Sequence, residues 1–77
     1  MALDEPLPSA LARLEARHGL TPAETRTLAV LALGECNREI AQRLGVSIET
    51  VRTHVRRVLG KLRVRTRAEA ARVARAA

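Results

Sequence analysis

The sequence predicts an all-α fold of one small domain, and three observations lead to this prediction. Apolar residues recur at helical spacing, capping residues and glycines bracket the apolar segments, and Phe, Trp and Tyr are absent from all 77 residues. A core limited to Leu, Val, Ile and Ala favours close packing of helices over a sheet. The length allows one domain with one modest core.

A short helix is predicted near the N-terminal end of the chain. The opening segment DEPLPS contains two prolines and is expected to be extended. Ser9 is expected to cap a helix that continues to about His18, where Gly19 supplies a stop. Because the first residues have neither a basic region nor an apolar stretch, they do not predict a secretory signal.

The second helix has a strong start signal. Thr21 is the predicted N-cap, Pro22 takes the first helical position and Glu24 completes a capping box. The helix is expected to run to about Leu33, because Gly34 suits the left-handed conformation that ends many helices. Besides capping, Glu24 can pair with an arginine of the domain.

The third and fourth helices are predicted to follow each other closely. Asn37 is the expected cap of a helix over REIAQRL that ends at Gly45, and Ser47 is the expected cap of a helix over residues 47–62. The connection between them is only about three residues long. A short helix, a tight turn containing glycine and a longer helix form the helix-turn-helix pattern.

Helix 47–62 has two chemically opposite faces. One is apolar and is predicted to pack on the core: Val51, Val55, Val58, Leu59 and Leu62. The other carries Arg52, Thr53, Arg56, Arg57 and Arg63, with Glu49 as the only compensating acid. Such a helix can hold a small domain together while it presents arginines to a polyanion.

The basic charge is confined to the C-terminal part of the chain. Residues 1–46 carry five arginines against six acids, a net charge of −1, whereas residues 47–77 carry eight arginines and one lysine against two acids, a net charge of +7. This asymmetry points to a polyanionic partner. The alternative is an Arg-rich surface that only keeps the protein in solution.

Several classes of function are disfavoured by composition. Cys36 is the only cysteine and His18 and His54 are the only histidines, so neither an internal disulfide nor a metal site is expected. The chain has no Ser/His/Asp set and no phosphate-cradling loop, so we expect neither an enzyme nor a bound cofactor. No apolar run is long enough for a membrane span, and the simplest setting is a reducing cytoplasm.

Six short blocks occur in a recognisable order: LTPAE (20–24), CNREIA (36–41), LGVS (44–47), TVRTHV (50–55), KL (61–62) and RTRAEA (65–70). Together they resemble the LuxR/NarL-type helix-turn-helix domain, the DNA-binding output module of many bacterial response regulators and quorum-sensing receptors. The resemblance covers residues 20 to about 74. It implies a four-helix domain over residues 20–77 whose third helix enters the major groove. Residues 1–19 would then be an N-terminal extension or linker carrying the additional short helix.

The resemblance places base contacts on Arg52, Thr53 and Arg56 of helix 47–62. Positions suited to phosphate contacts are Asn37, Arg38, Thr50, His54, Arg57 and Arg63. Two of these have alternatives, since Arg38 can form a surface ion pair with Glu35 or Glu39, and His54 can pack at the margin of the core. Arg63 also departs from the family, which frequently has a glycine where helix 47–62 stops.

A last helix is predicted from a capping box at Thr66 and Glu69 to about Ala76. Related domains commonly dimerise through this helix, and its small residues would permit close approach of two copies. The expected dimer residues are Ala70, Val73, Ala74 and Ala77. The alternative is that these side chains pack on the core of their own chain.

The sequence therefore predicts a sequence-specific regulator of transcription that binds double-stranded DNA as a dimer on paired half-sites, with RNA polymerase as a further partner. One alternative is a promoter-reading region of a sigma factor. Another is a basic helical module that binds an acidic protein.

Overall fold

The computed structural model describes residues 9–77. This part of the chain forms five helices: α1 (Ser9–His18), α2 (Pro22–Leu31), α3 (Asn37–Leu44), α4 (Ile48–Leu62) and α5 (Arg67–Ala76). No strand occurs between residues 9 and 77, so the all-α prediction is confirmed. The opening segment expected to be extended lies, except for Ser9, outside the described residues. None of the described helices is long and apolar enough to cross a membrane.

Three helices, α2, α4 and α5, begin directly after the N-cap residues predicted from the sequence. In the capping box of α2, Thr21 N–H donates to Glu24 Oε1 at 2.9 Å and Glu24 N–H donates to Thr21 Oγ1 at 3.1 Å. Ser47 Oγ accepts from the amide of the third residue of α4, and Thr66 Oγ1 does the same for α5, each at 3.1 Å. These bonds satisfy amides that have no partner within the helix.

The cap of α3 differs from the prediction. Cys36, not Asn37, is the N-cap, and its N–H donates to Glu39 Oε1 at 2.9 Å. Asn37 is the first helical residue, and its Oδ1 accepts from Arg67 Nη1 at 2.5 Å. The prediction was wrong because the Asn37 side chain is engaged by a residue thirty positions away, which a local capping pattern does not reveal.

The end of α2 also lies earlier than predicted. The helix stops at Leu31 rather than near Leu33, and the following three residues form a turn. Leu33 N–H donates to Val30 O and Gly34 N–H donates to Leu31 O, so the bonding has tightened to i→i−3. Leu33 is exposed, so burial of its side chain does not stabilise a further helical turn.

One apolar core joins all five helices. Helix α4 buries Val51, Val55, Val58 and Leu62, as predicted for its apolar face, and packs against α2, α3 and α5. Helix α1 buries Leu14 in the same core and packs against α2 and α5. The additional N-terminal helix is therefore part of the packed domain.

A buried ion pair links α2 to the end of α4. Glu24 is only 1% exposed, and its Oε1 accepts from Lys61 Nζ at 2.6 Å. Lys61 Nζ also donates to Gly19 O at 3.0 Å. Burial alone raises the pKa of the Glu24 carboxyl, but hydrogen bonds from Lys61 and the Thr21 backbone outweigh it, and the pKa lies below its ordinary value. The partner is thus a lysine rather than the arginine that the sequence offered as one option.

Candidate nucleic-acid interface

The solvent face of α4 is strongly cationic. Arg52, Arg56 and Arg57 are exposed, while Thr53 is half-buried beside them. These residues lie across the helix from the buried valines, so the polarity expected from the sequence is present in three dimensions. Because the helix packs through one face only, the other remains free to meet a partner.

Glu49 contacts two of the predicted base-contacting residues. Its Oε1 accepts a hydrogen bond from Arg52 Nη1, one turn further along the helix. Its backbone carbonyl accepts from Thr53 Oγ1 at 3.2 Å. Sequence reasoning noted Glu49 only as a compensating charge, although the i,i+3 spacing to Arg52 is a recognised signal for a helical ion pair.

Three other arginines of this face remain without a carboxylate partner. Across the described residues, Arg56, Arg57 and Arg63 form no salt bridge. Arg63 follows α4 directly in a left-handed conformation, with φ of 59°, and is the only non-glycine residue of residues 9–77 with positive φ. Their positive charges are therefore not neutralised by any carboxylate of residues 9–77.

The turn before α4 orients the start of this helix. Gly45 ends α3 in a left-handed conformation with φ of 67°, and Val46 N–H donates to Ala41 O at 3.1 Å. Ser47 Oγ and Thr50 Oγ1 are 2.9 Å apart and share a hydrogen bond. The hydroxyl of Thr50, a predicted phosphate contact, thus lies beside the N-terminal amides of α4.

The start of α3 holds two further predicted phosphate contacts. Arg38 is exposed, and the expected alternative of an ion pair with Glu35 or Glu39 is not formed. Glu35 binds Arg43 instead, and Glu39 is used to cap the helix. Asn37 is half-buried and is held by Arg67, which also donates to Glu35 O at 3.0 Å. Sequence reasoning missed this link because it joins α3 to α5.

His54 lies at the margin of the core. The residue is half-buried, and its Nδ1 is buried without a hydrogen-bond partner in the described structure. A small cavity of about 40 Å³ is lined by His54 together with Ala23, Arg26, Leu44 and Val46. This position agrees with the packing alternative for His54, while a phosphate contact through the other ring nitrogen stays a prediction.

The four predicted dimer residues of α5 differ in exposure. Ala77 is exposed, and Val73 and Ala74 are half-buried against the core. Ala70 is 0% exposed, so its side chain packs within its own chain and has no surface to offer a second copy. For this residue the alternative of packing on its own core is the one observed.

Comparison with known proteins identifies the family. Residues 18–74 match the family described as bacterial regulatory proteins, luxR family. The transcriptional regulatory protein LiaR of Bacillus subtilis and the nitrate/nitrite response regulator protein NarL of Escherichia coli are each 42% identical over 52 residues, which is 68% of this chain. The HTH-type transcriptional activator RamA of Corynebacterium glutamicum is 40% identical over 63 residues, 82% of this chain.

The match is confined to part of each relative. The aligned region is 25% of LiaR, 24% of NarL and 22% of RamA, so this chain corresponds to about a quarter of the curated relatives it matches. No solved structure matches the chain significantly.

Proposed function

The chain belongs to the luxR family of bacterial regulatory proteins, and from this premise we propose that it is a transcription regulator that binds double-stranded DNA through α4. The observation that carries the proposal is the solvent face of α4, which follows a helix-turn-helix connection and exposes Arg52, Arg56 and Arg57, the last two without a carboxylate partner among the described residues. A helix in this arrangement can enter the major groove with its N-terminal half against the bases. The relatives, which include a transcriptional regulatory protein and a transcriptional activator, support the same function.

Base recognition is proposed for Arg52, Thr53 and Arg56. Arg52 and Arg56 are one turn apart on the exposed face, and each guanidinium can donate two hydrogen bonds to O6 and N7 of a guanine. Because the Thr53 hydroxyl is already bonded to the Glu49 carbonyl, its methyl group is the part better suited to a base, and thymine presents a methyl group in the major groove.

Phosphate contacts are proposed for residues around the rim of this surface. Arg57 and Arg63 are exposed and without ion pairs in the described part of the chain, and Arg38 has the same character at the start of α3. Asn37, Thr50 and His54 would add hydrogen bonds. Contacts of this kind set the position of the protein on the duplex, while base contacts determine its sequence preference.

Dimerisation on DNA is proposed through Val73 and Ala74 of α5 and Ala77 directly after it. Val73 and Ala74 are already half-buried and the exposed Ala77 has a small side chain, so two copies would bury little surface by contact through this end of the chain alone. We therefore expect pairing to depend on DNA that carries two half-sites about one helical turn apart.

Selection of bound sequences from a random-duplex pool tests the proposal. A specific regulator should enrich one motif and bind it far more tightly than random duplex, with affinity that falls steeply as salt is raised. Paired motifs at a fixed spacing would support the dimer, and single motifs would contradict it. Equal binding to all duplexes, or no binding, would overturn the proposed function.

A further inference from the structure

Glu49 is the single acidic residue of α4, and it lies on the face proposed to meet DNA. It is the second residue of the helix, in the N-terminal turn, and its side chain is 80% exposed. All other charged side chains of α4 are cationic. A carboxylate at this position would be brought close to DNA phosphates whenever α4 enters a groove.

Helix stability accounts for this carboxylate only in part, because the helix dipole favours an acid in the first turn but its effect on an exposed side chain is small. Ser47 already caps the helix, so Glu49 is not needed for that bond. Its ion pair with Arg52 joins two side chains that are 80% and 58% exposed, and exposed pairs at i,i+3 spacing add little to stability. The Glu49–Arg52 ion pair therefore adds little to folding, and its main effect is on the exposed surface of α4.

The contacts of Glu49 connect it to both neighbouring base-contacting positions. The carboxylate restricts the Arg52 guanidinium, and the backbone carbonyl holds the Thr53 hydroxyl. Arginine reads guanine through a fork of fixed geometry, so restricting its orientation before binding lowers the entropy lost on recognition.

The electrostatic effect of the carboxylate depends on the sequence that it meets. Phosphates repel it at every site, which weakens binding to DNA in general. Among the bases in the major groove, cytosine offers an amino group to which Glu can bond. Against a base edge without a donor, the desolvated carboxylate would lose its bonds to water and gain nothing. The same charge thus disfavours most sequences and favours a few.

We propose that Glu49 is a specificity-determining residue, which positions Arg52 for a guanine and accepts a hydrogen bond from the amino group of a nearby cytosine. This inference rests on the proposed function, because it requires that α4 read bases. It adds an acidic residue to the proposed base-contacting surface of α4, which otherwise consists of Arg52, Thr53 and Arg56.

The test compares Glu49→Gln with the matched control Glu69→Gln in the full chain. Both substitutions remove one negative charge, but Glu69 lies at the start of α5, where its contacts are with Thr66. Affinity is measured for the wild type's selected duplex and for random duplex, and sequence selection is repeated for each variant. Thermal unfolding verifies that both variants fold.

We expect Glu49→Gln to bind random duplex more tightly and to lower the ratio of specific to random affinity by on the order of tenfold, since one good base contact is worth about that factor. One cytosine preference should disappear from the selected motif. Glu69→Gln should leave the ratio and the motif unchanged. In an Arg52→Ala background, Glu49→Gln should still remove the cytosine preference but have no further effect on the guanine.

An unchanged ratio and motif for Glu49→Gln would overturn the inference while leaving the proposed function intact. Equal effects of Glu49→Gln and Glu69→Gln would also overturn it, because they would show that net charge alone matters. A wild-type protein that selects no motif would instead overturn the proposed function itself, so the two failures are distinguishable.

Discussion

The Glu24 carboxylate on α2 accepts a hydrogen bond from Lys61 Nζ on α4 at 2.6 Å, across 37 positions of the sequence. The same carboxylate caps α2 through the Thr21 amide. One buried group therefore sets the start of α2 and joins that start to the last turn of α4. Because α4 carries the proposed reading surface, this pair helps to hold that surface in place.

Lys61→Met should destabilise the domain. It leaves the Glu24 carboxylate buried without its main charged partner, and removal of one member of a buried pair costs roughly 3–5 kcal/mol. Lys61 itself is 34% exposed, so water can replace part of the lost interaction and about 2 kcal/mol is expected. Urea unfolding measures the change. Lys61→Arg, which keeps the charge, is the control, and a loss as large as that of Lys61→Met would contradict the role of the charge.

Stability should fall on acidification through the titration of Glu24. Despite burial, which raises it, the pKa of this carboxyl is held below the ordinary value of 4.5 by Lys61 and Thr21. A group whose pKa is lower in the folded state contributes stability above its unfolded value, and that contribution is lost as pH falls through the folded value.

The pH prediction is tested by urea unfolding between neutral pH and the acid range below 4.5. We expect Glu24→Gln to be less stable than wild type at neutral pH and to lose less stability on acidification. Some pH dependence should remain in this variant, because the amide of Cys36 also lowers the pKa of Glu39. Identical acid slopes for the two proteins would rule out a contribution from Glu24.

Arg63→Gly should stabilise the fold and weaken DNA binding together. The left-handed conformation at φ of 59° costs roughly 1–2 kcal/mol for a residue with a side chain, and glycine removes this cost. Glycine also increases the conformational entropy of the unfolded chain, which offsets part of the stabilisation. A net gain of about 0.5–1 kcal/mol is expected. Arg63→Ala keeps the strain and loses the charge, so it should weaken binding without adding stability. An Ala variant as stable as the Gly variant would argue against strain at this position.

The arginines of α4 should separate into two groups by their effects on binding. Arg52→Ala and Arg56→Ala should each relax preference at particular base pairs, at a cost of about 1–3 kcal/mol on the selected site. Arg57→Ala should weaken all duplexes alike and reduce the slope of log affinity against log salt by about 1. Titrations of selected and random duplex at several salt concentrations measure both effects. Identical behaviour of all three variants would show that this division of the surface is wrong.

Much of the fold follows from residues that are close in sequence. The capping box of Thr21 and Glu24 and the cap at Ser47 each join residues within one turn, and the apolar face of α4 repeats at helical spacing along one helix, so a linear pattern predicts all three. The wrong prediction at α3 has the opposite cause. Asn37 fits the local pattern of a cap, but its side chain is bound by Arg67, which is distant in sequence.

The sequence by itself thus determined the helices, the helix-turn-helix connection and the chemical identity of the surface that α4 presents. Only the tertiary structure decided which groups meet across helices: Lys61 with Glu24, Arg67 with Asn37, and Ala70 within the core rather than on a dimer face. The physical reason is that periodicity and capping are local to one helix. Burial and ion pairing, in contrast, depend on which helix packs opposite, and that is set by the packing of the whole domain.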